Sequence, residues 1–271
     1  MTDKGSAPGR VARQHARQRE ISEAVMAAGS MRTQDIAEQF GISLMTVHRD
    51  LDELESKGLL RKSRGSATAT STALVESSDS YRANRQADEK SMIAQAAASF
   101  LEPGQAIMID DSTTTLPLTH HMAACTPLTV ISNSLAVVQE LRGMRGIDVI
   151  GLGGNYHAWC SAFIGPMTVT AIETLRADTF FMSTSAIVDD ICFHQVPETV
   201  EVKQAMFAAA RQRILLVDHT KFERRALHSI VPLADFDAIV VDAATPAEDV
   251  HRLRDQGMTV RVAHRRPGPR S

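Results

Sequence analysis

Four short polar runs in this sequence are built from residue types that bind anions. They are Asp110-Asp111-Ser112-Thr113-Thr114-Thr115, Asn133-Ser134, Gly153-Gly154 and Asp218-His219-Thr220-Lys221. Hydroxyls and free backbone N–H groups at a helix start, with a lysine nearby, suit a phosphate or carboxylate. Lys203 supplies a further cation on a later helical stretch. Each run alone is a weak signal, because Ser or Thr after a strand commonly does no more than cap a helix. Four of them in one domain are more specific. A second set of residues lies near the N-terminus: Ser43, Met45, Thr46, His48 and Arg49 in one segment, then Arg61, Lys62 and Arg64 in the next. Arginine is the commonest reader of guanine edges, and a basic strand and turn suits a phosphate backbone.

The second set depends on the elements that carry it. Thr33 is a good N-cap, and Ile36, Ala37 and Phe40 recur at helical spacing, which predicts a short amphipathic helix ended by Gly41. Ser43 then caps a second helix with Leu44, Val47, Leu51 and Leu54 as its inward stripe. That orientation turns Met45, Thr46, His48 and Arg49 outward. Past Gly58, residues 60–65 read as a basic strand and turn. Ile21, Ala24, Val25 and Ala28 give an earlier helix ended by Gly29. Together these predict a winged helix-turn-helix head over residues 1–65, with residues 1–10 disordered and Arg10, Arg13, Arg17 and Arg19 following closely. A hairpin of helices that only packs or binds protein is the blander alternative, but caps, turn, stripe and wing all agree against it.

Residues 66–86 are expected to form a linker, being small and polar at their start. From residue 87 to 271 strands and helices alternate, with strands over 106–110, 128–132, 147–152, 179–187, 213–218, 238–242 and 259–262. That alternation predicts an α/β domain on a mostly parallel sheet. Ligands of such sheets sit at the carboxyl ends of the strands, where the four polar runs fall. Residues 191–199, leading into the helix of Glu201 and Lys203, are expected to help choose the ligand.

The chain of 271 residues carries a formal net charge of −3, against indiscriminate coating of nucleic acid. Residues 1–66 hold 11 Lys+Arg and 9 Asp+Glu, net +2, and the remainder 18 and 23, net −5. A mildly basic head on an acidic body fits a protein that touches DNA at one end. Three widely spaced cysteines imply no disulfide framework. The His and Cys residues lack the paired close spacings of a zinc site, with only His157 and Cys160 approaching one, so no metal and no cofactor are expected. No apolar run reaches the length of a bilayer span, and the N-terminus is polar and charged, so a cytoplasmic protein without membrane contact is expected.

The run Thr46-Val47-His48-Arg49-Asp50-Leu51 through Arg64-Gly65-Ser66-Ala67 resembles the winged helix of the deoxyribose-operon repressor (DeoR) family of bacterial transcription regulators. His48 stands at the first Arg of that pattern, Arg64 at its wing His and Ser66 at its second Gly. Ile109-Asp110-Asp111-Ser112-Thr113-Thr114 resembles the family's Asp-Ser-Gly-Thr-Thr loop, with Asp110 at the Asp, Asp111 at the Ser and Ser112 at the Gly. Gly151-Leu152-Gly153-Gly154 with Phe163-Ile164-Gly165-Pro166 is similar to its Gly-Gly segment. Asp218, Thr220, Lys221 and Phe222 match its Asp-x-Ser-Lys-Phe segment.

The resemblance implies a sensor domain of the ribose-5-phosphate isomerase and CoA-transferase type that binds phosphorylated sugars without turning them over. The expectation is therefore a repressor of a sugar-catabolic operon, whose partners are double-stranded operator DNA and a small phosphorylated sugar-like effector. Homodimers or homotetramers are expected, since such heads gain affinity from two half-sites. The alternative is a sugar-phosphate isomerase with an appended DNA-binding head, in which Asp110, Asp218 and Lys221 serve as acid–base groups.

Overall fold

The computed structural model describes residues 10–28, 30–56, 60–69 and 79–264. Residues 1–9, Gly29, Gly58 and residues 70–78 of the expected linker lie outside these, as do the side chains of Arg10, Arg13 and Arg19. The chain divides into two compact units, Met1–Ser77 and Ser78–Ser271.

In the first unit, α1 (Arg10–Ala28), β1 (Ser30–Arg32), α2 (Thr33–Phe40), α3 (Leu44–Ser56), β2 (Leu60–Ser63) and β3 (Ser66–Ala69) follow in order. The strands form an antiparallel sheet in the order β1-β3-β2. Ile21, Val25, Ile36, Val47, Leu51, Leu54, Leu60 and Ala67 make its core. Each large aliphatic there is worth about 1.5–3 kcal/mol on burial, so the stripe fixes the rotation of α3. Gly41 ends α2 in the left-handed conformation, and the N–H of Ile42 returns to the carbonyl of Ala37.

Several expectations need correction here. Thr33 is the first helical residue of α2 and makes no cap; its backbone N–H and hydroxyl both reach the carbonyl of Gly65. Leu44 is not part of the stripe but stands 44% exposed at the first position of α3, where the core does not yet reach. Residues 66–69, read as the start of the linker, are the central strand of the head's sheet.

Asp50, unremarkable in sequence, is fully buried on α3. Arg17 of α1 grips it with Nε at 2.7 Å and Nη2 at 3.1 Å, and Gln18 Nε2 donates to it at 3.1 Å. This hydrogen-bonded carboxylate holds the Arg17 pKa above its ordinary value. Asp50→Ala is expected to cost the head about 2–3 kcal/mol, as for charged hydrogen bonds lost from a buried site. The measurement is hydrogen exchange of α1 and α3 amides in the full chain. Unchanged protection would show that α1 is held by its apolar face alone.

The second unit opens with α4 (Asp79–Asn84) and α5 (Ala87–Ala97), so the linker's expected C-terminal half is helical as well. Then come β4 (Ala106–Ile109), α6 (Thr119–Met122), β5 (Leu128–Ser132), α7 (Leu135–Leu141), β6 (Ile147–Gly151), β7 (Asn155–His157) and β8 (Ala162–Ile164). α8 (Pro166–Glu173), β9 (Ala177–Met182), β10 (Ala186–Val188), β11 (Ile191–His194) and α9 (Pro197–Ala209) follow. β12 (Ala210–Val217), β13 (His228–Pro232), β14 (Ala238–Asp242), α10 (Ala247–Asp255) and β15 (Val260–Ala263) complete it.

Seven strands form one sheet in the order β15-β14-β12-β9-β4-β5-β6, with every pairing parallel. Alternate residues feed two cores. Met108, Ile131, Phe180 and Leu215 face one side, and Ile107, Val130, Phe181 and Ile214 the other. Parallel sheets need both faces covered, which explains strands that read as continuous apolar runs. The chain winds outward from β4 through β5 to β6, then returns to β9 and winds the opposite way. The topological switch point therefore lies between β4 and β9.

Two small antiparallel sheets were not foreseen: β7 with β8, and β10-β11-β13. Residues 179–187, read as one strand, break after Met182 into β9 and β10. Residues 191–194, read as part of a ligand-choosing loop, form β11 between β10 and β13, with Cys192 fully buried.

Candidate functional site

On the head, Ser43 caps α3 as expected, its hydroxyl accepting the N–H of Thr46 at 3.3 Å. Met45, His48 and Arg49 are exposed and Thr46 half-buried. Met45 is 75% exposed and lies beside Leu44. Apolar groups at the start of a recognition helix suit thymine methyls, and Arg49 suits guanine or a phosphate. The wing presents Arg61 and Arg64, both exposed, on β2 and its turn. Lys62 is engaged differently: its ammonium binds Asp52 and its N–H donates to Glu55 at 2.8 Å, so it braces the wing on α3.

In the second unit, the loop after β4 and the end of β9 meet at the switch point. Asp110 is buried there and accepts from the Ser112 N–H at 3.1 Å, the Ser112 hydroxyl at 2.8 Å, the Thr115 hydroxyl at 2.7 Å and the Ser183 N–H at 2.8 Å. Lys203 reaches in from α9 and donates to Asp110 as well. Its other contacts are Ser112 Oγ and the carbonyl of Ser183, both at 3.2 Å. Burial alone would lower the pKa of Lys203, but Asp110 and Asp111 beside it outweigh that and hold it above the ordinary lysine value. Asp110, Thr115 and Lys203 thus spend their polar atoms within this network with Ser112 and Ser183.

A cavity of about 130 Å³ opens beside this network, and Asp111, Ser112, Thr113, Ser134, Cys160 and Asp79 are among its lining. Ser112, Thr113 and Ser134 were expected at such a site; Asp79 and Cys160 were not. Ser134 also caps α7, accepting from Val137 N–H at 3.4 Å. Asn133 is buried, and its amide donates to the carbonyl of Phe163 at 3.1 Å, fastening β8. Thr114 is buried. The expected helix start at Thr113–Thr115 is instead a series of tight turns, in which Thr115 and Leu116 both donate their N–H to the carbonyl of Ser112. Gly154 serves packing, since a Cβ there would sit 2.2 Å from the Thr168 hydroxyl, which donates to the Gly153 carbonyl at 2.9 Å; a Cβ at Gly153 would meet open space.

Positive charge comes from an unforeseen direction. Lys90 of α5 is 4% exposed, and its ammonium donates to Thr113 Oγ1 at 3.1 Å and to the carbonyl of Arg82. Its pKa is lowered to about 8, first by burial and then by the charge of Lys221, with Arg82 and Arg224 adding to it. Lys221 is buried in the turn after β12, 4.0 Å from Asp218. Asp218 caps that turn, accepting from Thr220 N–H at 3.1 Å, and Asp242 secures it through His219 N–H at 2.7 Å. Burial pushes the Asp218 pKa up, but Lys221, the Thr220 hydroxyl and the neighbouring cations bring it below the ordinary value. Lys90, Lys221 and Arg224 around a single carboxylate make a field that favours an anion next to Thr113.

Cys160 is a thiol rather than a nucleophile, its pKa pushed up to about 12 by burial and then by Asp111. Among the described residues no group of His, Cys, Asp or Glu could hold a metal ion. No helix among them is long and apolar enough to cross a membrane.

Comparison with known proteins agrees with this division. Residues 17–73 match the DeoR-like helix-turn-helix domain, and residues 85–243 the DeoR C terminal sensor domain. The chain is 33% identical over 231 residues to the lactose phosphotransferase system repressor of Staphylococcus aureus, covering 84% of this chain and 92% of that protein. It is 26% identical over 248 residues to a putative aga operon transcriptional repressor of Escherichia coli, covering 90% and 92%. Ribose 5-phosphate isomerase A of Methanocaldococcus jannaschii shows a slight likeness in structure, at 13% identity, 50% and 54% coverage and a TM-score of 0.37.

Proposed function

The chain belongs to the DeoR family of helix-turn-helix regulators, and from that premise we propose that it is a repressor released from its operator by a phosphorylated sugar-like metabolite. The observation that carries this reading is the cation group of Lys90, Lys221 and Arg224, whose Lys90 ammonium holds Thr113, a residue that lines a cavity at the carboxyl ends of a parallel sheet. Ser43, Met45, Thr46, His48 and Arg49 read the operator from α3, and Arg61 and Arg64 follow its backbone from the wing. Lys203 acts from beneath the cavity by fixing the loop of Asp110 and Ser112. The relatives named as repressors of lactose phosphotransferase and aga functions support a sugar-linked role. Operators read by two half-sites support a homodimer or homotetramer.

The enzyme alternative is less well supported. Of its acid–base candidates, Asp110 already accepts hydrogen bonds from Ser112, Thr115, Ser183 and Lys203, and Asp218 accepts from Thr220 with Lys221 4.0 Å away, so both carboxylates are engaged in holding the fold.

The test is DNA binding with operator selected from a random library. Arg49→Ala is expected to cost about 1–3 kcal/mol of specific affinity, if it reads a base or pins a central phosphate. Arg64→Ala should weaken all sequences alike and reduce the salt slope by about one, as for a phosphate contact. Wild-type binding by both variants, to operator and to random DNA, would show that α3 and the wing face elsewhere.

A further inference from the structure

Asp111 is the cavity-lining residue whose chemistry the phosphate reading leaves unused. Its carboxylate is buried, yet Oδ1 has no hydrogen-bond partner among the described residues. The nearest cation is Lys203, 3.7 Å away, beyond hydrogen-bond reach. An ammonium has three donors, and those of Lys203 are directed at Asp110, Ser112 Oγ and the carbonyl of Ser183. Lys203 therefore supplies charge to Asp111 and no proton. A buried acceptor left in this state is destabilising, and a ligand that donates to the carboxylate recovers that loss on binding.

The position sharpens the point. Asp111 stands where the related pattern has serine, a group that can donate as well as accept, whereas a carboxylate only accepts. It lines the same cavity as Thr113, which holds the Lys90 ammonium. The cavity thus asks for two chemistries: an anion near Thr113 and a donor near Asp111.

We infer that the effector of this protein carries, on the carbon skeleton beyond its phosphate, a hydroxyl or ammonium group that donates to Asp111, and that Asp111 selects among phosphorylated sugars by that group. The inference rests on the reading of this cavity as the effector site. A site built around a buried acceptor rejects analogues that lack the donor far more strongly than an apolar pocket rejects a missing methylene.

The experiment is calorimetric titration of the full chain and of Asp111→Ser and Asp111→Asn. The probes are inorganic phosphate, glucose 6-phosphate and its epimers, their monodeoxy analogues, and the corresponding amino-sugar phosphates. In wild type, removing one particular hydroxyl is expected to weaken binding at least tenfold. In Asp111→Ser that ratio should shrink to threefold or less, with the affinity for inorganic phosphate changed less than twofold. A tighter amino analogue in wild type, losing its advantage in Asp111→Asn, identifies the donor as ammonium; a tighter hydroxyl compound identifies it as hydroxyl. Two results overturn the inference: no sugar phosphate binding better than inorganic phosphate, or a deoxy ratio that persists unchanged in both variants. Inorganic phosphate binding that is indifferent to Lys221→Ala would strike at the phosphate reading instead. The Asp111 comparison, being a ratio between matched ligands, would still stand.

Discussion

Asp110→Ala is expected to destabilise the sensor unit by about 3–5 kcal/mol, because it strands a buried ammonium without its partner. Lys203 is 2% exposed, and no other carboxylate among its described contacts is close enough to take a hydrogen bond from it. The same change orphans the N–H groups of Ser112 and Ser183 and leaves the Thr115 hydroxyl to the Ser112 carbonyl at 2.9 Å, so the loop after β4 loses its template. Asp110→Ala with Lys203→Met should recover part of the loss, since a neutral pair has no charge to strand. Urea unfolding of the full chain, followed by a probe in the sensor unit, measures both. A single-variant loss below about 1 kcal/mol would mean that the interior relaxes to admit solvent to Lys203.

The second large effect concerns the cations over Thr113. Lys221→Ala should weaken a sugar-phosphate effector by roughly 1.5–3 kcal/mol, as for a charged hydrogen bond, while leaving operator binding without effector nearly intact. The variant would stay on operator at effector concentrations that release wild type, as reciprocal coupling requires. Lys90 adds a pH signature. With a folded pKa near 8, it sheds its proton well below the ordinary lysine value. Between that pH and about 10.4 the unfolded chain binds more protons than the folded one, so stability without ligand rises with pH across the window. A bound phosphate favours the charged ammonium and reverses this, so phosphate affinity should fall above pH 8, approaching tenfold per unit. Phosphate itself titrates near pH 6, so the slope belongs to the protein. In Lys90→Met the dependence between pH 7 and 9 should flatten; a slope that persists would assign the titration to another group.

Local chemistry made much of this legible. The strands over 128–132 and 238–242 stand as read, because runs such as Ala238-Ile-Val-Val-Asp242 are apolar and ended by polar strand termini. Ser43 and Gly41 are cap signals that act within a few residues, and both act as expected. What failed was non-local. Lys90 lies on a helix whose pattern says only that it is amphipathic, and nothing near it in sequence tells that its ammonium meets Thr113. The burial of Asp50 and of Lys203 likewise depends on partners 33 and 93 positions away. The short strands β7, β8, β11 and β13 were missed for the same reason: three to five residues gain strand character from pairing rather than from pattern. Gly154 misled in the opposite sense, since a glycine required for contact with Thr168 looks the same in sequence as one required for a phosphate.

The wing of the head is closed before any DNA arrives. Its strand β3 lies between β1 and β2, and its turn is latched to α2 through the N–H of Thr33 on the Gly65 carbonyl at 3.0 Å. Segments that order themselves on a duplex add a large folding contribution to the heat capacity of binding. If α3 and the wing meet the operator as proposed, they dock as a preformed body, so the heat-capacity change of binding should scale with the interface alone, with little backbone entropy surrendered by the wing.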